Sequence, residues 1–522
     1  MLTLYILLAG AAVVSLRLIT SYFLDRKGLQ QFPVPSWVAA ISPFWRIYHN
    51  YHLRQFEAIH QAHLRLGSHV RISPNHISIS APEAVDTIYG HGANFLKDVW
   101  YDGGAGESRT MADTRSKAEH QAKRKRMAHL FSQKTIADME PVIHDRVLAL
   151  LRATDQQACD GSVFNVRRFV NYFTIDLITY ILFGAPARCL ELGHDNVRAK
   201  NARTGHIYEA PLIDSLHDSM RVAVPIGYAP DAMPLGRALV RLHPQFRSGE
   251  RFTDIVYYYV TEACAKIQAL PDPGNAEANS FADGGFLRQI MYDKQGCATD
   301  LPLSELLAEC SGMVNAGSDT TSTALANCIY LLCMQRHVCY RDRLRAELAP
   351  VFAAAAGRLP RYEALAALPF LRACIDETLR LRPSSAFGLP REVPVGGRWI
   401  AGKFVAGGVS VSVPTYSLLH NPDVFAHPET FRPERWTDMP ADDPRLVRMK
   451  KYHLPFSTGP RACIGRNIAY FEMVLVVAAL VHYFDFTFAD PRVDGHYEVL
   501  ERLNANPDEL FMYPKRRVEG SF

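Results

Sequence analysis

Apolar residues recur at spacings of three and four through most of the chain. That period predicts helices over residues 143–151, 164–183, 253–270, 303–335 and 365–381. Alternation of period two is confined to two places. One is 70–72 with 77–79 across a Pro74–Asn75 turn, and the other lies around Trp399 and 409–413. Each reads as a hairpin. Residues 270–285 (LPDPGNAEANSFADGG) and 437–445 (TDMPADDPR) are loops by composition. The pattern predicts a mainly α body with a small β-sheet portion near each end, undivided by any repeat or long linker.

The start of the chain departs from this amphipathic pattern. Residues 2–16 carry no charge, Arg17 interrupts, and 18–24 is again mostly apolar. A spanning helix requires about 20 such residues. A cleaved signal peptide is the alternative, with AGAA as a small-residue cleavage site. No Lys or Arg precedes the run, while Arg17, Arg26 and Lys27 follow it, a bias that keeps the following chain cytosolic. The expectation is a single-pass anchor over 1–24. Pro33, Pro35 and Pro43 then make 25–45 a stiff proline-rich hinge, and 46–522 forms one body.

Composition narrows the function classes. The 522 residues are 48% hydrophobic and 21% charged, with a formal net charge of +4, which is ordinary for a globular protein. No interleaved basic and aromatic patch points to nucleic acid. None of the ten cysteines forms a C-x-x-C pair, which excludes zinc-ribbon and thioredoxin-like readings. A scattered set suits a reducing compartment.

One cysteine is surrounded differently. In LPFSTGPRACIGRNIAYFEM, residues 454–473, Cys463 sits among Phe456, Gly459, Arg461 and Gly465, just before a helical run. Three other constellations stand out. The apolar stretch 306–334 carries Ala316, Gly317, Ser318, Asp319, Thr320 and Thr321 at its middle. Gly317 and Asp319 are costly inside a buried helix. A local break in the helical bonding would give them a purpose; a helix bent by Ser and Thr is the plain alternative. Glu377 and Arg380 share a helical face. They are either a surface pair or, given their apolar neighbours, a buried pair needing further partners. Arg435, in HPETFRPERW, is a candidate third member.

Together these residues resemble the cytochrome P450 superfamily of haem-thiolate monooxygenases. Phe456, Gly459, Arg461, Cys463 and Gly465 match its cysteine-ligand loop F-x-x-G-x-R-x-C-x-G. Residues 316–321 match its oxygen-binding A-G-x-D-T-T, Glu377 and Arg380 its E-x-x-R, and Arg435 the arginine of its P-E-R motif. The family often carries W-x-x-x-R where this chain has His120 and Arg124, so His120 departs from the pattern. The anchor and hinge suit microsomal members, and several segments resemble fungal ones, including benzoate 4-hydroxylases.

The resemblance implies the cytochrome P450 fold and haem b with an axial cysteine thiolate, Cys463. Arg461, Arg124 and Arg391, with His120 in doubt, would hold the propionates. Glu377, Arg380 and Arg435 would form a structural network behind the haem. Gly317 and Ala316 would make room for dioxygen, Thr320 would assist proton delivery, and Asp319 would link that relay to water. Substrate contacts would come from 94–104, Met313, Ala316, 384–389 and 503–505. Trp100, Phe387 and Leu389 imply a small, mainly apolar organic substrate.

With no flavin or nicotinamide fingerprint in the chain, electrons would come from NADPH-cytochrome P450 reductase, with cytochrome b5 as an accessory donor, at the endoplasmic reticulum membrane. Lys117, Lys123, Arg124, Lys125, Arg126, Arg448, Lys450 and Lys451 are candidate contacts for an acidic reductase, or simply a solvated basic face. The expected role is hydroxylation or epoxidation in fungal secondary metabolism. Alternatives are aromatic detoxification of the benzoate 4-hydroxylase type, a haem-thiolate isomerase or dehydratase, and a non-catalytic haem binder.

Overall fold

The computed structural model describes residues 20, 22–274, 281–293 and 295–518. Nearly all of the proposed anchor over 1–24 lies outside them. Among the described residues, one helix is long and apolar enough to cross a membrane, Arg466–Tyr483. It is a core helix: Ile468–Val481 is buried throughout.

Five long helices overlap the spans that the apolar period predicts, and two of them end at a left-handed glycine. Glu140–Asp160 stops at Gly161, whose φ of 63° suits a left-handed cap. Val166–Phe183 starts at Asn165, whose side chain accepts from the Arg168 amide, and ends at Gly184 with φ 76°. Phe246–Gln268, Leu303–Cys333 and Pro369–Leu381 complete the frame. Leu303–Cys333 runs through the centre and packs on Val166–Phe183 and Arg466–Tyr483. Their facing apolar residues, among them Phe173, Leu325, Ile329 and Val476, form the larger core.

The strands around His76–Ile79 and Ser410–Ser412 form a further lobe with its own core, built on Ile77, Ile79, Val409 and Val411, whereas Phe484–Phe488 and Phe511–Arg516 pack on the larger core. The hairpin His69–Ser73 with His76–Ile79 forms as expected, with an irregularity between Arg71 and Ser73. The later alternating segment divides. Arg398–Ile400 pairs with Lys403–Val405. Ser410–Ser412 instead runs parallel to His76–Ile79. The expected pair of separate sheets is therefore corrected to one five-stranded sheet, in the order His69–Ser73, His76–Ile79, Ser410–Ser412, Arg391–Glu392, Leu96–Lys97. Parallel pairing needs a crossover, here the whole helical body, and no local pattern announces it.

The proline-rich stretch 25–45 packs onto this lobe. Leu29, Phe32, Ala39 and Ala40 are buried, Arg71 N donates to Pro33 O at 2.9 Å, and Lys27 Nζ donates to Asn75 Oδ1 and Gly408 O. It reads as part of the body more than as a free-standing hinge.

Candidate active site

The cysteine loop lies between the two lobes. Gly459, at φ 72°, sits where a Cβ would come within 1.9 Å of the Tyr89 carbonyl, so only glycine allows this approach. Cys463 N donates to Phe456 O at 3.0 Å, closing the loop. Phe456 packs on Tyr470 with ring centroids 5.2 Å apart. The helix Arg466–Tyr483 then begins with its first amides aimed at the sulfur. Burial pushes the Cys463 thiol up, whereas the amides of Gly465 and Arg466 and the Arg124 guanidinium pull it down. A Cβ on Gly465 would lie 3.9 Å from Cys463 Sγ. The loop can thus hold a negative sulfur, on a residue that is itself exposed in this structure.

A rim of cations faces this loop. Arg124, on the helix Lys117–Met127, donates to Ala462 O at 2.9 Å. Arg461 donates to Ser116 O at 3.3 Å through one terminal nitrogen, while the other, Nη1, is buried without a partner. Arg391 donates to Pro390 O and to the Tyr101 hydroxyl. Lys97, missed as a cation by sequence reasoning, is buried and donates to Ala112 O at 2.6 Å. Burial, then Arg391 and Arg461, hold its ammonium well below the usual lysine range. Burial and Arg391 bring the Arg461 guanidinium down to about 10. His120 joins the cluster, and burial followed by Arg461 lowers its imidazole to about 4, so it is neutral near pH 7. Among the described residues none of Lys97, Arg124, Arg391 or Arg461 forms an ion pair. A soft thiolate ringed by uncompensated cations fits a metal macrocycle that carries two carboxylates.

Behind the loop, Glu377 gathers five donors. Arg380 reaches both its oxygens at 2.9 and 3.0 Å. Arg435 Nε, Arg432 N and Trp436 Nε1 reach them at 3.0, 2.9 and 3.0 Å. The remaining N–H groups of Arg380 and Arg435 donate to carbonyls of Leu419, Pro428 and Ala426. Glu377 and Arg380 are 0% exposed. The buried-network reading, rather than the surface pair, describes this geometry; Trp436 and the Arg432 amide are members the sequence did not reveal.

On the other side, Leu303–Cys333 is helical without interruption, so the expected break in helical bonding is not found. Hydroxyls bond to carbonyls along it instead. Thr320 Oγ1 donates to Ala316 O, Ser318 Oγ to Val314 O, Thr174 Oγ1 to Ser318 O, and Ser384 Oγ to Thr320 O, all at 2.7–2.8 Å. Ala316 and Thr320 form the accessible face of a helix otherwise largely buried. The group that approaches Gly317 is Ile178, whose Cδ1 would lie 2.8 Å from a Cβ there.

Asp319 differs most from its expected role. It is buried, and its oxygens accept from His217 Nε2 at 3.0 Å, Arg167 at 3.3 Å, Asn504 Nδ2 at 2.7 Å and Asn506 Nδ2 at 2.8 Å. Burial alone would raise its carboxyl, but His217, Arg167 and Asn504 together hold it well below the usual carboxylate range. Its oxygens are thus held by four side chains from other parts of the chain. His217, Arg167 and Asn506 come from segments no motif marked.

Three of the segments expected to meet substrate come together, while Met313 packs on the larger core. Phe387, Ala386 and Ala505 form a small apolar cluster with Trp100, Leu389 and Leu503.

The basic face is smaller than the sequence suggests. Lys123 is buried and pairs with Glu305 and Glu309 at 3.0 Å, and Arg126 also holds Glu305. Lys451 pairs with Asp86. Lys117, Lys125, Arg448 and Lys450 remain exposed, Lys117 donating to Asn94 Oδ1.

A family model described as "Cytochrome P450" matches residues 40–498, and the chain belongs to that family: it is a cytochrome P450 monooxygenase carrying haem with a cysteine thiolate as axial ligand. Fungal cytochrome P450 monooxygenases are among the proteins it is similar to. Benzoate 4-monooxygenase bphA of Aspergillus niger is 31% identical over 510 residues, covering 96% of this chain and 95% of the relative. Cytochrome P450 monooxygenase ABA2 of Pyricularia oryzae is 29% identical over 468 residues, 88% and 85% of the two chains. Cytochrome P450 monooxygenase atnE of Emericella nidulans is 27% identical over 501 residues, 91% and 89%.

Proposed function

We propose that this chain holds its haem through Cys463 and inserts one oxygen atom of dioxygen into a C–H or C=C bond of a mainly apolar organic substrate. The role proposed is a step of fungal secondary metabolism, with electrons from an NADPH-dependent reductase at the endoplasmic reticulum membrane. The observation that carries this reading is the Cys463 thiol, met by the Gly465 and Arg466 amides inside a rim of unpaired cations.

Haem bound to a thiolate supplies the O–O cleavage chemistry. The residues supply placement. The Gly465 and Arg466 amides and Arg124 stabilise charge on the sulfur. Arg461, Arg391, Arg124 and Lys97 would take the two propionates, Arg461 with its spare N–H. Phe456 on Tyr470 shields the loop. On the central helix, the Thr320 hydroxyl would pass a proton by exchanging its bond to Ala316 O for one to a water or ligand. Asp319 and Ile178 fix the helix that carries it. Lys125, Arg448 and Lys450 form the patch for an acidic reductase.

Turnover with isotopically labelled dioxygen and a fungal reductase tests the reading. One labelled oxygen in product, with NADPH consumed, is expected. Product formed without dioxygen or NADPH would make the chain a peroxide-rearranging isomerase or dehydratase instead.

A further inference from the structure

His217, on the helix Leu212–Ala223, meets Asp319 of the central helix through Nε2 at 3.0 Å. One turn further along its helix, the Met220 sulfur meets Asn315 Nδ2 at 3.4 Å. Asn315 and Asp319 are themselves one turn apart. The two helices therefore run side by side in opposite directions over this stretch. The next positions on the central helix, Ala316 and Thr320, form its accessible face. His217 thus stands at the border between an occupied stripe and an open one.

Only one nitrogen of this imidazole is engaged. An ionised Asp319 can only accept, so Nε2 carries the proton of the bond between them. Burial lowers the His217 ring more than Asp319 raises it. The ring is therefore neutral near pH 7, and Nδ1 keeps a bare lone pair. Among the described residues nothing donates to Nδ1. The His217 side chain is 13% exposed against 5% for Asp319, so part of the ring stays open beyond the carboxylate. A fixed acceptor with no donor in the chain favours a ligand that brings one.

Hydrogen bonds tie this acceptor to the apolar cluster. Asn504 Nδ2 and Asn506 Nδ2 hold Asp319 at 2.7 and 2.8 Å. Ala505, between them, donates its N–H to Ser384 O at 2.8 Å, and Ser384 Oγ donates to Thr320 O at 2.8 Å. Ala505 packs in the cluster with Ala386 and Phe387. His217, Thr320 and the cluster are thus braced by one continuous set of bonds. We infer that His217 Nδ1 accepts a hydrogen bond from a hydroxyl of the substrate, whose apolar body lies against Phe387 and Ala505. Asp319 is then the positioning residue that fixes the accepting tautomer. The inference rests on the monooxygenase reading and narrows its substrate class to apolar alcohols and phenols.

The test is equilibrium dialysis of haem-loaded protein, with the ferric haem band followed in parallel. The probes are 2-naphthol, 4-phenylphenol and 1-dodecanol against their methyl ethers. At least one hydroxyl compound is expected to bind about fivefold or more tightly than its ether. His217→Gln keeps an N–H for Asp319 but loses the ring acceptor. It should remove most of that preference while leaving ether binding within about twofold. Should that variant not fold, the natural chain decides: in its reduced carbon monoxide form with isotope-labelled histidine nitrogens, one unprotonated ring nitrogen should shift with the hydroxyl compound and not with the ether. The inference is overturned if no hydroxyl compound outbinds its ether, if no such nitrogen shifts, or if His217→Gln weakens both ligands equally at unchanged haem content and thermal stability. The carbon monoxide spectrum of the same preparation reports separately on the haem-thiolate reading, so the two failures are distinguishable.

Discussion

Glu377 and Asp319 are the same physical device placed on opposite sides of the site. Each is a buried carboxylate surrounded by arginine and other N–H donors. Their partners differ in origin. Glu377 takes Arg380 from its own helix and Arg432, Arg435 and Trp436 from one later loop. Asp319 takes Arg167, His217, Asn504 and Asn506 from three separate parts of the chain. The Glu377 network therefore leaves a local signature. Asp319, by contrast, resembles a lone acid beside a threonine when only the sequence is read, and so invites a proton-relay role. Burial and donor count, not the motif, decide between relay and anchor.

The largest effect is expected at Glu377. Glu377→Gln leaves Arg380 and Arg435 buried without their counter-charge, a loss of about 3–5 kcal/mol. Thermal unfolding and the haem-to-protein ratio should both collapse; an unchanged melting temperature would show that the network does not carry the fold.

Asp319→Asn removes a charge but keeps the shape, and should cost about 1–3 kcal/mol. The melting temperature should fall while the solvent isotope effect on turnover stays the same. The reverse pattern, full stability with an enlarged isotope effect, would restore the relay role and break the comparison.

Gly317→Ala sharpens it further. A methyl group 2.8 Å from Ile178 Cδ1 overpacks the helix contact, for about 1–3 kcal/mol. The double variant Gly317→Ala with Ile178→Ala should recover much of the loss. If Gly317→Ala keeps full stability and only couples oxygen use to product poorly, the glycine serves dioxygen instead.

The smallest effect is a pH dependence that separates the carboxylates from the sheet lobe. Burial lowers His63 to about 4 and His420 to about 3, against about 6.5 for an exposed imidazole. Unfolded chains bind these protons first, so this contribution is full above pH 6.5. It declines as pH falls toward 4 and then 3. Asp319, lowered in the folded state, loses its contribution only below the ordinary carboxylate range. The melting temperature should already drop between pH 6.5 and 5, and His63→Gln should flatten that slope. A curve flat to pH 5 would contradict the neutral buried histidines.

The periodic helices are legible in the sequence because each buries one stripe against the core; the spans 164–183 and 303–335 fall within a few residues of Val166–Phe183 and Leu303–Cys333. The hairpin at His69–Ile79 is legible from its turn. The pairing of Ser410–Ser412 with His76–Ile79 is not, because it joins segments more than 300 residues apart. In the site, short spacing marks Cys463, Arg461 and the Glu377 set. It does not mark Lys97, His217 or Arg167, since a single basic residue carries no pattern until folding brings it to a carboxylate or a rim. Lys123 misleads for the converse reason: its place in a basic run hides two glutamates on another helix.

The most direct test of the account concerns the sulfur itself. Reduced, haem-loaded protein is exposed to carbon monoxide, for the natural chain and for Cys463→Ser. The account predicts a strongly red-shifted haem band in the natural chain and its loss in the variant, with the fold retained. A red-shifted band surviving Cys463→Ser, or absent from folded, haem-loaded natural protein, would contradict it.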